Sequence, residues 1–259
     1  MSDPTTIAAS HRNDGELPTM AQRLAVRTRP SSAVVGRQRW SDLLFLHWEI
    51  DAGAVQATLP PGLFVDTFEG AAYLGIIPFF MERVRPVWLP PLPWISWFLE
   101  LNVRTYVHDR EGRPGVWFQS LDCNQPFAVA LARRFFHLPY FHAQMGARRH
   151  QGAVEYHSQR SGTPTVSSYH WQPDDGAIEA APGSLEFFLV ERYALFSADQ
   201  NGHLHCGRVH HRPYRIGRAI VREFSIEPAR QAGFELAGPP VSTLCARAVD
   251  VSIFALGKM

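Results

Sequence analysis

Between residues 100 and 108 polar and apolar positions alternate, with Glu100, Asn102, Arg104 and Tyr106 in one phase and Leu101, Val103, Thr105 and Val107 in the other. A period of two predicts a half-buried strand. Residues 109–115, rich in Gly, Pro and charge, reverse the chain, and 116–123 predict the returning strand. At 126–136 the spacing becomes helical, with Pro126 at the first position, where a missing N–H is harmless. An extended segment follows at 138–143, carrying the phenol of Tyr140 and the imidazole of His142.

The same reasoning divides the rest of the chain. Residues 40–50 predict a strand and 52–59 a short helix stopped by Pro60-Pro61-Gly62. Residues 63–68 and 71–84 predict a hairpin around Glu69-Gly70, with Pro78 marking an edge or a bulge. A proline-rich apolar loop with Trp88, Trp94 and Trp97 comes next, either a lid over a core or a partner surface. Further hairpins are predicted at 143–149 with 153–159 and at 194–198 with 203–211, the latter around Asn201-Gly202. Residues 165–172, 218–225 and 248–256 predict strands, Ser184 caps a helix running to Tyr193, and 227–233 form another short helix. Many short strands with few helices make the chain mainly β, an antiparallel barrel or sandwich. Residues 1–32 are polar and aperiodic apart from a short helical spacing at 17–26, so they are read as a flexible arm, and 33–259 as a single domain.

Composition narrows the chemistry. A net charge of +1 gives no overall field for nucleic acid or an anionic membrane, and no segment is long and apolar enough to span a bilayer. Three cysteines far apart, Cys123, Cys206 and Cys245, fit a reducing compartment, and no signal peptide is seen, so a cytoplasmic protein is expected. Lys258 is the only lysine; the other 24 basic residues are arginines. An internal Schiff base is therefore excluded.

Several motifs carry a family resemblance: Leu44-Phe45-Leu46-His47-Trp48, Leu59-Pro60-Pro61-Gly62-Leu63, the run from Glu100 through Val107, Leu138-Pro139-Tyr140, Gly183-Ser184-Leu185-Glu186, Glu191-Arg192-Tyr193 and Val209-His210-His211. In these the chain resembles the YqjF-like family of bacterial proteins, within the acetoacetate decarboxylase-like superfamily. The resemblance implies a closed antiparallel β-barrel or cone with a few peripheral helices around a small-molecule pocket. It also implies where the decarboxylase lysine would stand. The superfamily motif laid on this chain puts Pro139 on its proline, Tyr140 and Phe141 on its two lysines, and Ala143 on its alanine. The frame is kept and the nucleophile is gone.

The remaining candidates are groups that bind and move protons. Periodicity alone leaves open whether Glu100, Asn102 and Arg104 face solvent or the interior, while the resemblance implies pocket carboxylates on this strand. Facing inward, Glu100, Arg104, Tyr140 and His142 would be the catalytic set: Arg104 clamps a carboxylate, Glu100 or His142 moves a proton, and Tyr140 donates to an oxyanion. Asn102, Arg133 and His210 would bind ligand. His203-x-His205 lacks the further carboxylate and histidine of a cupin-type site, so no metal is expected, and no cofactor. Glu191-Arg192 is read as a buried structural pair, and His47 and Trp48 as core residues. The expectation is a pocket protein for a small anionic or carbonyl-bearing ligand, a lyase or hydratase working without a Schiff base. The competing reading is a ligand sensor or interaction scaffold that uses the tryptophan loop. Oligomeric state is not readable.

Overall fold

A computed structural model describes residues 15–174 and 176–259. Its elements run α1 (Met20–Ala25), β1 (Val34–Ile50), α2 (Ala52–Gln56), β2 (Leu63–Val65), β3 (Ala72–Pro86), β4 (Phe98–Asp109), β5 (Pro114–Cys123) and α3 (Pro126–Phe136). The second half runs β6 (Tyr140–His150), β7 (Ala153–Arg160), β8 (Ser167–Pro173), β9 (Ile178–Glu179), α4 (Leu185–Val190), β10 (Ala194–Ala198) and β11 (Leu204–His210). It closes with β12 (Arg215–Glu223), α5 (Glu227–Gln231), β13 (Ser242–Phe254) and β14 (Gly257–Lys258).

All the strands except β9 lie along one hydrogen-bonded order, β9 joining through β12, and the pairing returns on itself twice. One circuit passes β13, β1, β3, β4, β5, β10 and β11 before reaching β13 again. A second leaves β5 through β6, β7, β8 and β12 to β13, sharing β1, β3 and β4 as its return. Each circuit has its own core. Leu43, Phe45, Tyr73, Ile77 and Tyr106 point to the first, where α4 inserts Phe188, Leu189 and Val190. Leu44, Leu46, Leu74, Leu101 and Val103 point to the second, with Tyr156, Tyr169 and Trp171. A strand shared by two cores has no solvent face, so β4 is buried on both sides rather than half-buried as its alternation predicted. The polar phase of β4 marks the interior of the first circuit.

Other expectations are corrected by the pairing. The ladder is antiparallel except where β5 runs parallel to β6 and to β10. The hairpin expected between 63–68 and 71–84 is reduced to a bridge at Phe68 and Ala71, and β2 pairs with β4 instead. The reason lies just past β2: the Asp66 amide donates to the Tyr106 carbonyl at 2.9 Å, which holds the chain along β4. Pro78 is on a central strand, at the break in β1–β3 pairing between Ser41 opposite Phe80 and Leu46 opposite Ile76. Its missing N–H falls where no bond is required.

The expected arm lies partly outside the described residues, which begin at Gly15. From there α1 and the residues after it as far as Arg29 contact the rest of the chain. Thr19 and Gln22 form a capping box at the start of α1, Arg23 reaches the buried Asp66 carboxylate through two bonds of 2.7 and 2.6 Å, and Arg27 approaches Glu191 at 3.6 Å. Arg23 and Arg27 thus pair with acids of the folded sheet, while most other residues of the segment are exposed.

Candidate functional site

Strand β4 sets a column of polar side chains into the first circuit. Glu100 is buried, and its carboxylate accepts a 2.6 Å hydrogen bond from the Tyr140 hydroxyl. The register explains the meeting: Glu100 pairs with Cys123 on β5, and Leu121 and Cys123 pair with Tyr140 and His142 on β6. Burial pushes the Glu100 carboxyl up to about 7, against the lowering effect of hydrogen bonds from Tyr140 and Asn102. A carboxyl near neutrality is suited to giving and taking protons. Tyr140 is raised far above the ordinary phenol by burial and the adjacent carboxylate, so it stays a donor. Cys123 is no nucleophile, since burial raises its thiol to about 12.

Two residues along the strand Asn102 is buried with an Oδ1 that meets no partner, and two further lies Arg104. The strand repeat separates Glu100 and Arg104 by about 13 Å at Cα. Arg104 donates from Nη2 to the Leu189 carbonyl at 3.1 Å, stands over the rings of Phe45 and Tyr106, and leaves Nε without a partner. Among the described residues no carboxylate neutralises it.

Across β3 on the same face of the sheet stands His47, its Nε2 2.7 Å from the Tyr106 hydroxyl and its Nδ1 unpartnered. Burial, then the charge of Arg104, hold this imidazole well below the usual histidine range, so it is neutral. Gly75 lies between them, paired with His47 on one side and Arg104 on the other. A Cβ there would come within 3.2 Å of the His47 ring, so the absent side chain leaves the imidazole its place. His47 was read as a core residue from the sequence. Its phase with Leu43 and Phe45, opposite to Leu44 and Leu46, is the signal that assigns it to the Arg104 interior.

The other sequence candidates are placed elsewhere. His142 is exposed, with Nδ1 3.0 Å from the Ser161 hydroxyl and no hydrogen bond to Glu100. Arg133 is exposed on α3 and donates through Nε to the Tyr140 carbonyl at 2.6 Å, so it steadies the backbone beneath the phenol. His210 lies in a surface groove with His211, paired with Ser252 of β13. His203 and His205 both turn to Asp199, at 3.1 and 3.5 Å. Among the described residues no group of three or more metal-ligating side chains is assembled. Lys258 sits exposed in β14, paired with His205.

None of three described cavities takes in Glu100 or Tyr140. The largest is the His210 groove, and the other two border the docked segment.

Comparison with known proteins adds a family and a fold. The family model DUF2071, described as an uncharacterized conserved protein, matches residues 37–250. The uncharacterized protein YqjF of Bacillus subtilis (strain 168) is 37% identical over 205 residues, covering 78% of this chain and 83% of that protein. Among solved structures, one from structural studies of acetoacetate decarboxylase aligns with a TM-score of 0.62 and 11% identity over 90% of this chain and 91% of the other. The acetoacetate decarboxylase of Legionella pneumophila subsp. pneumophila str. Philadelphia 1 gives 0.60 and 12%, over 90% and 91%. The enduracididine biosynthesis enzyme MppR complexed with pyruvate gives 0.61 and 14%, over 88% and 91%. At such identities the likeness is one of fold: strand-rich and acetoacetate decarboxylase-like. Among the described residues no helix is long and apolar enough to cross a membrane.

Proposed function

Since the chain belongs to the DUF2071 family of uncharacterized conserved proteins, with a fold that hosts small-molecule enzymes, we propose that it binds a small carboxylated or carbonyl compound between Glu100 and Arg104 and transfers a proton there. The reaction class is that of a lyase or hydratase without a Schiff base. The two pairing circuits are read as a closed barrel or cone, with 33–259 as one domain. The observation that carries the proposal is Arg104, a half-buried guanidinium lacking a carboxylate partner on the strand face that also holds Glu100. A partly desolvated charge without a counter-ion is unfavourable, and a ligand carboxylate would offset it. Asn102 Oδ1 and His47 Nδ1 are further polar atoms with bonds to make. Pyruvate, which the fold neighbour MppR binds, is of the required chemical class.

In this reading Arg104 holds the carboxylate, Glu100 moves the proton, and Tyr140 donates its one O–H to the Glu100 carboxylate, turning it to a developing oxyanion once Glu100 has taken the proton. The test is a thermal-shift series with pyruvate and other small keto acids on wild type, Arg104→Met and Tyr140→Phe. A keto acid at a hundredfold excess over its Kd should stabilise the wild type by about 2.7 kcal/mol. Arg104→Met should fold with stability close to the wild type's and lose that shift, because it removes a charge with no internal carboxylate while the methionine keeps contact with the Phe45 and Tyr106 rings. A shift retained in Arg104→Met would end the clamp assignment, and no shift across the series would end the pocket reading.

A second reading, an interaction scaffold, draws on the surface above α3. Trp94 is 89% and Trp88 76% exposed, and Phe127, Leu131 and Phe135 expose one stripe of α3 at a spacing of four. Gln125, which caps α3, also donates to the Trp94 carbonyl at 2.7 Å and so joins loop to helix. Contiguous apolar surface of this kind marks an interface. With a second copy of the chain as occupant, sedimentation velocity should show a dimer that Trp94→Ser with Phe135→Ser converts to monomer. A monomeric wild type removes self-association through this face.

A further inference from the structure

Away from the β4 site, eight arginines converge on one groove of about 950 Å³, from segments that include β1, β3, β13 and the turn after β11. Asp250 is the only acid in the lining. It approaches Arg39 at 3.2 Å, and Glu82 approaches the same arginine at 3.7 Å. Among the described residues Arg29, Arg37, Arg83, Arg85 and Arg212 have no ion pair, although the whole chain carries a net charge of only +1. Positive charge is thus gathered here and balanced elsewhere.

The sheet accepts a local cost to gather it. Arg37 on β1 lies directly opposite Arg85 on β3, a like-charge pair that destabilises a ladder. Between this pair and Arg39 opposite Glu82 the register slips, so that Arg83 and Val84 share the space facing Gln38. Arg83 takes a φ of 53° there, a conformation that a side chain with a Cβ rarely adopts. One residue of the lining, His211, also has a buried nitrogen with no partner. His211 is buried against Tyr193 and Tyr214, and its Nδ1 lies 2.6 Å from the Arg212 carbonyl, which only accepts. Nδ1 therefore carries the proton, and the unpartnered Nε2 presents a lone pair.

We propose that this groove is a binding site for a small oligophosphate ester: the arginines hold the phosphates, and His211 Nε2 accepts from a hydroxyl or N–H of the organic part. Guanidinium forks match phosphate oxygens two at a time. A small ligand is favoured over a nucleic-acid strand because the groove, at about 950 Å³, has the volume of a small-molecule site. Ala177, Ala248 and Pro213 supply apolar surface for the organic group. The site is independent of Glu100 and Arg104 and stands or falls apart from them.

Inorganic tripolyphosphate is the probe. Its binding is measured by titration calorimetry at low ionic strength, with orthophosphate and a single-stranded oligonucleotide in parallel. The proteins are wild type, Arg37→Gln with Arg85→Gln, and the control Arg222→Gln, an exposed arginine of β12 outside the groove. Tripolyphosphate is expected to bind wild type and control alike and the double variant at least about tenfold more weakly. The double variant should melt no lower than wild type without ligand, since the opposed charges are gone. The proposal is overturned if tripolyphosphate does not bind, if orthophosphate binds as well, or if the control loses as much as the double variant. Preferential binding of the oligonucleotide would overturn it in favour of a polymer site.

Discussion

Replacing Glu100 by Gln should stabilise the protein above neutral pH and leave it nearly unchanged in mild acid. Burial raises the carboxyl to about 7 in the folded protein, while in the unfolded chain it returns to its ordinary value near 4.5. The folded state therefore holds this proton more tightly than the unfolded state does. Its contribution to stability is fully present below the unfolded value and is lost as pH rises through 7. Two to three pKa units correspond to roughly 3 kcal/mol. The substituted glutamine is close in shape to the protonated acid and still accepts from the Tyr140 hydroxyl, but it has no charge to bury. Denaturant unfolding at about pH 5 should give similar free energies for the two proteins, and at about pH 8 the variant should gain most of that difference. An equal effect at both pH values would mean that Glu100 does not titrate in this window. The same substitution removes the proposed proton carrier, so a variant more stable at high pH and inactive on any identified substrate would separate the two roles of the carboxyl.

The parts of this site that the sequence disclosed are those set by short-range pattern. Pro126 and the spacing after it mark α3 with the limits found, 126–136, and the turns around Gly112, Gly152 and Gly202 mark three of the hairpins. Alternation placed Glu100, Asn102 and Arg104 on one face, and the family motif placed Tyr140 where a lysine would be. Which face was interior could not be read from β4 alone. Its polar phase has the composition of a solvated surface and becomes interior only because two circuits share the strand. His142 keeps the phase of Tyr140 yet emerges at the surface beside Ser161, since phase fixes direction and not depth. The arginine groove was illegible for a related reason. Its strand-borne cations come from segments as far apart as Arg37 and Arg247, and the β13–β1–β3 register brings them together.

The docking of the first described residues makes the second large prediction, the loss of stability in Asp66→Ala. Asp66 is fully buried and serves two guanidiniums, Arg23 through both carboxylate oxygens and Arg192 at 2.6 Å. Burial alone would raise this carboxyl, but Arg192 and Arg23 outweigh it and hold it below the usual aspartate value. Removing the carboxylate leaves Arg192 buried over the rings of Tyr106 and Phe188 with its charge unmatched. Breaking a buried pair in this way costs about 3–5 kcal/mol. Two further measurements separate a lost ion pair from a general packing defect. Asp66→Ala combined with Arg192→Met should recover a large part of the loss, because the fully buried orphan charge is gone, leaving only the half-buried Arg23 unmatched, and the methionine keeps apolar contact with the rings. Trypsin should cut after Arg23 and Arg27 sooner in Asp66→Ala than in wild type, because α1 loses its anchor while Glu191 retains only the longer contact to Arg27. Unchanged cleavage together with a full loss of stability would show that α1 is held by its other contacts, among them the Gln22 bond to the Glu111 carbonyl, and that Asp66 acts on the core through Arg192 alone.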